Sequence, residues 1–142
     1  MRFAVFVKAT DKSESGALPD PKIMEEMGKF NEELLEAGII LAAEGLHASK
    51  DGARVRFSGK NRTVIDGPFP ETKELVAGFW IWKVKSREEA IEWVKRCPNP
   101  FEEECEIEIR QIFDTEELTS LMSEEHLNRR TQMCEALASK QK

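Results

Sequence analysis

The chain has 142 residues, 40% of them hydrophobic and 34% charged, with a mean hydropathy of −0.49. This is material for one domain, and a domain near that size buries roughly two-thirds of the surface of its unfolded chain, so a self-sufficient core is available. The net charge of −6 argues against a nucleic-acid partner, which calls for a basic face, and against an anionic membrane surface. No apolar run approaches the roughly 18 residues of a membrane span, and the opening segment is too short for a secretory signal. Cys97, Cys105 and Cys134 are odd in number and lack a CxxC spacing, which fits a reducing, cytoplasmic setting.

Residues 2–9 read as a strand apolar on both faces, with Phe3, Val5 and Val7 alternating against Ala4 and Phe6. Residues 11–19 read as a mobile polar loop. Asp20 can cap a helix and Pro21 suits its first position. Ile23, Met27, Phe30 and Leu34 then share one face, and Gly38 stops the helix predicted over 20–37. A second strand is predicted over 39–43, followed by Glu44-Gly45-Leu46-His47. Residues 54–57 and 63–65 form a predicted hairpin around 58–61. Asp66-Gly67-Pro68-Phe69-Pro70 breaks the pattern, and 71–75 has room for one helical turn. A long strand over 76–85 sends Trp80, Trp82 and Val84 to one side and Ala77, Phe79 and Ile81 to the other. Ser86 and Glu89 form a capping box for a helix over 87–96 that buries Ala90, Ile91, Val94 and Cys97. Pro98-Asn99-Pro100 ends it, and a last strand runs over 105–113. Residues 1–113 thus make an α+β domain, and 114–142 a charged C-terminal extension with helical propensity.

Without the hairpin the order is β-α-β-β-α-β, the ferredoxin-like split β-α-β arrangement with two helices on one sheet face. Strands apolar on both sides then leave the second face in need of cover. The expected solution is a homodimer packed sheet to sheet, a dimeric α-β barrel.

The run Asp66-Gly67-Pro68-Phe69, extended through Glu71-Thr72-Lys73-Glu74, resembles the signature of the DGPF-domain, YCII-related proteins. Glu44-Gly45-Leu46-His47, Ala53-Arg54-Val55-Arg56-Phe57, Gly78-Phe79-Trp80, Glu88-Glu89-Ala90 and Cys97-Pro98 extend the resemblance over roughly residues 1–115. It implies a dimeric α+β barrel and little about activity, since most members are uncharacterised. Some occur beside or fused to alternative sigma factors, which implies a transcription-related protein partner. A distant YCII-type relative is a dehydrochlorinase for which a His–Asp catalytic pair has been proposed. In YCII-type proteins that histidine sits on the first helix. Here the first helix has none, and the available histidine is His47, followed by Ala48 where the DGPF group usually has proline.

The candidate catalytic residues are therefore His47 and Asp66. Imidazole titrates near neutrality and suits proton transfer. Asp66 precedes two prolines that carry no N–H, so only Gly67 and Phe69 can donate to it nearby. Gly67 allows an unusual backbone angle or a close approach. Each residue also has a bland reading: a loop histidine with one structural bond, and a turn that merely needs this shape. Arg54, Phe69, Glu71, Lys73 and Trp80 are candidates for contacting a ligand, with Arg54 or Lys73 holding an anionic group. Salt bridges for the charged residues and a core role for Trp80 are the competing readings. No P-loop, GxGxxG or His-rich zinc set is present, so no cofactor and no metal are expected. Two functions stay open. One is a small enzyme doing elimination or isomerisation on a cyclic or carbonyl compound. The other is a non-catalytic ligand-binding or transcription-associated module with 114–142 as its partner-facing element.

Overall fold

The computed structural model describes residues 1–140. The chain divides into two compact units, Met1–Ile112 and a second that begins at Phe113.

In the first unit, strand β1 (Arg2–Lys8) leads to a short helix α1 (Asp11–Glu14) and a long helix α2 (Pro21–Glu36). Strand β2 (Ile40–Gly45) follows, then a hairpin of β3 (Ala53–Ser58) and β4 (Asn61–Asp66). Strand β5 (Val76–Lys83), helix α3 (Arg87–Lys95) and strand β6 (Ile107–Gln111) complete it. The predicted α+β class holds, and the loop expected over 11–19 is corrected at its start. Thr10 and Ser13 cap each other there: the Ser13 N–H donates to the Thr10 hydroxyl oxygen (3.2 Å) and the Thr10 N–H to that of Ser13 (2.9 Å).

The main sheet has the order β2-β5-β1-β6, with every neighbouring pair antiparallel. This order is compatible with a ferredoxin-like arrangement. The hairpin forms a separate two-stranded sheet in which Asp66 pairs with Ala53.

Helix α2 forms where its composition says it should. The Asp20 carboxylate accepts from the Lys22 N–H at 2.7 Å, and Pro21 occupies the first turn. Its periodic face buries Ile23, Phe30 and Leu34. At α3 the Ser86 hydroxyl accepts from the Glu89 N–H (3.1 Å), as the capping box requires. The Glu89 carboxylate, however, accepts from the Lys85 N–H rather than from Ser86.

Both helices supply the core on one side of the sheet. Phe3, Val5, Val7, Trp80 and Trp82 pack with Phe30, Leu34, Ile39 and Ala90. The Phe30 ring stands edge-on to Trp80 and Trp82, with centroids 6.1 and 6.3 Å away. Each fully buried large apolar side chain here stabilises by about 1.5–3 kcal/mol relative to exposure. Alternation along β1 and β5 sends Ala4, Phe6, Phe79 and Ile81 to the opposite side, where they are half-buried.

The second unit holds helices α4 (Thr115–Thr119) and α5 (Glu124–Lys140). The Glu117 carboxylate accepts from the Asp114 N–H, and the Ser123 hydroxyl from the His126 N–H, so each helix start has a local cap. Among the described residues, no helix is long and apolar enough to cross a membrane.

Candidate functional site

A cleft of about 730 Å³ in the first unit is lined in part by two glycines, Gly45 and Gly78. Alternation on β5 turns Gly78 to the same side as Trp80 and Trp82, and Gly45 is its partner on β2. A Cβ on Gly78 would lie only 3.0 Å from the Glu44 carbonyl oxygen. Two neighbouring ladder positions thus carry no side chain, while Trp80 and Trp82 carry indoles on the same face of β5. Ile23, Met24 and Met27 of α2, with Trp80, Phe101 and residues 16–19, also line the cleft. Trp80 is held in place at this boundary: its indole N–H donates to the Asn31 side-chain oxygen at 2.8 Å. Trp80 is thus both a core residue and a cleft-lining one.

A shallower recess of about 340 Å³ holds Glu14, Ser49, Arg54 and Phe69. The Arg54 guanidinium lies 3.8 Å from the centre of the Phe69 ring, a cation–π contact. Leu46, His47, Ala48 and Asp51 line both recesses. His47 Nδ1 is 3.6 Å from Asp51 Oδ2, and the imidazole is largely exposed.

Asp66 does not join this pair. It is exposed, lines neither recess, and its carboxylate has no hydrogen-bond or ion-pair partner among the described residues. The carboxylate that faces His47 is that of Asp51, because the one-turn 3-10 helix Ser49–Asp51 folds the chain back on itself. The two N–H groups near Asp66 are also committed elsewhere. Gly67 donates to the Gly52 carbonyl (3.0 Å) and Phe69 to the Ser49 hydroxyl oxygen (3.0 Å). Glu71 and Lys73 are exposed, Glu71 at the start of a short 3-10 turn (Thr72–Glu74) and Lys73 within it, and they line neither recess. Of the ligand-contacting candidates, Arg54 and Phe69 come together, and Trp80 borders the larger cleft.

The Asp66-to-Phe69 loop has a positioning role. A Cβ on Gly67 would fall 1.7 Å from the Ser49 carbonyl oxygen, so only glycine lets the loop press against that segment. The Gly67–Pro68 peptide is cis. Ser49 is the joint. Its hydroxyl donates to the Glu14 carboxylate, its N–H donates to the same group (3.1 Å to Oε1), and its oxygen accepts from Phe69. One serine thus ties α1, the His47–Asp51 segment and the Asp66-to-Phe69 loop together.

The cysteines lie outside this chemistry. Burial, with a lesser contribution from the neighbouring Cys105, pushes the Cys97 thiol up to about 12, which keeps it protonated and inert near neutrality. Burial also raises Cys105. Among the described residues, no three His, Cys, Asp or Glu side chains converge on a metal site. His126, in α5, is exposed.

Sequence reasoning missed Asp51, although its spacing of four from His47 was a usable signal. It also missed Glu14 and Ser49, whose link spans 35 positions and has no local signature. An uncharacterised protein of Rhizobium meliloti (strain 1021) is 28% identical over 93 residues, 66% of this chain and 75% of the relative. The YCII-related domain pattern matches residues 1–116, the stretch that builds the sheet, the cleft and the His47 segment, and the chain therefore belongs to the YCII-related family.

Proposed function

We propose that the protein is a small enzyme that moves a proton on a cyclic or carbonyl compound held in the Gly78 cleft. His47 is the acid–base group, and Asp51 orients it in place of Asp66. The observation that carries this reading is the shared position of His47 and Asp51, which border both the apolar cleft and the Arg54–Phe69 recess. Neutral imidazole takes a proton from carbon. The electron pair left behind forms a double bond and either expels a leaving group, which is elimination, or is reprotonated elsewhere, which is isomerisation. Arg54 and Phe69 bound the substrate on the recess side.

The same reading includes a homodimer packed through the second sheet face as a ferredoxin-like α-β barrel. Half-buried Phe6, Phe79 and Ile81 on that face support it. Light scattering at micromolar concentration is expected to give a particle of two chains, and a monomer would remove this part of the proposal.

The test of the chemistry is deuterium uptake from D₂O into a panel of small cyclic ketones and lactones, followed by NMR. Uptake above buffer that falls about a hundredfold or more in His47→Ala supports the proposal. Uptake no faster than buffer across the panel, or uptake unchanged in His47→Ala, contradicts it.

A second reading is a binding or transcription-associated module. The exposed Leu121, Met133 and Leu137 of the second unit favour it. In that case deletion of 116–142 abolishes partner binding and leaves the first unit folded.

A further inference from the structure

The charges around the large cleft are unevenly committed. Three acidic residues line it. The carboxylate of Asp20 accepts from the Lys22 N–H at 2.7 Å. That of Asp51 faces His47. Glu44 pairs with Phe79 on the ladder, so alternation turns its side chain to the far side of the sheet, away from Trp80. Two ammonium groups border it as well, from Lys12 on α1 and from Lys50 in the 3-10 turn. Neither has an ion-pair partner or a hydrogen-bond acceptor among the described residues. Lys50 also has a defined place. A Cβ on Gly16 would come 2.9 Å from its Nζ and 3.4 Å from its Cε, so the side chain runs through the gap that this glycine leaves at the mouth. Gly16 has φ +85°, a conformation that glycine adopts without strain.

One lining thus combines apolar Ile23, Met24, Met27 and Phe101 with two uncommitted positive charges. We infer that the cleft takes an amphipathic organic anion: an apolar ring system against α2 and Phe101, and a carboxylate or sulfonate at the mouth on Lys50 and Lys12. This replaces Lys73 and Arg54 as the anion-holding residues, since Lys73 lines neither recess and the Arg54 guanidinium stacks on Phe69. It rests on the reading of the cleft as the ligand site, and it names the class of ligand.

Two fluorescent probes with the same ring skeleton separate the two claims. One is 8-anilinonaphthalene-1-sulfonate, and the other is the uncharged N-phenyl-1-naphthylamine. The full chain is expected to bind the sulfonate more tightly. Lys50→Gln weakens the sulfonate about fivefold, and adding Lys12→Gln brings the loss to about tenfold, while the neutral probe is unaffected. Both lysines are exposed, so the fold is unaffected. Met24→Glu, an exposed wall position, weakens both probes and so locates them in the cleft. If the two probes bind alike and the lysine variants leave their ratio unchanged, anion recognition is wrong and the cleft reading stands. If Met24→Glu weakens neither probe, or neither probe binds, both readings fall.

Discussion

Trp82 and Phe57 are both aromatic residues on antiparallel strands, but Trp82 is fully buried while Phe57 is 72% exposed. The contrast extends to their whole sheets. The four-stranded sheet packs its indoles and β-branched residues against two helices, whereas every residue of the β3–β4 hairpin is exposed. A lone hairpin is marginal in water, so this one depends on what anchors its ends. The anchor runs from Asp66 through Phe69 to Ser49. Stability therefore resides in the four-stranded sheet, and the hairpin is a carried element. The candidate site lies at the joint between them.

The contrast is broken most severely by Trp82→Ala. Removing a fully buried indole should cost about 3–5 kcal/mol in a urea melt. A loss below about 1 kcal/mol would mean that the core is not where the stability lies. Next is Gly67→Ala. Its Cβ collides with backbone rather than with a flexible side chain, so about 1–3 kcal/mol is expected, with the hairpin amides losing hydrogen-exchange protection before those of β1 and β5. Ser49→Ala strips Glu14 of its hydroxyl donor and Phe69 of its acceptor, which should cost about 1–2 kcal/mol. Unchanged stability there would show that the joint lies elsewhere. Phe57→Ser should alter the melt by no more than about 0.5 kcal/mol. A loss as large as that of Trp82→Ala would put Phe57 in a packed core and erase the comparison.

The sequence exposed what is local and periodic. Asp20-Pro21 and Ser86-x-x-Glu89 marked the two helices that pack on the main sheet, and the spacing of Ile23, Phe30 and Leu34 identified the buried face. The alternation of Phe3, Val5 and Val7 did the same for the central strand. Gly67 was legible as a position of freedom or close approach, but what it approaches was not. Its neighbour is Ser49, brought there by tertiary folding alone. The same limit explains the site. His47 stood out by its chemistry and Asp66 by its motif. Yet a chain turn of three residues gives His47 a nearer carboxylate in Asp51, and the Asp66 carboxylate faces solvent. The pairing of Gly45 with Gly78 beside the large cleft was hidden for a related reason, since register between distant strands is not written in either segment.

The central claim is that this paired-glycine cleft is where the ligand sits, with His47 and Asp51 at its edge. The most direct measurement is a crystal structure of the full chain grown with N-phenyl-1-naphthylamine. The account predicts ring density between Met24 and Phe101, over Gly78 and within reach of His47. Density confined to the hairpin or to the second sheet face, with the cleft filled by side chains, would contradict it.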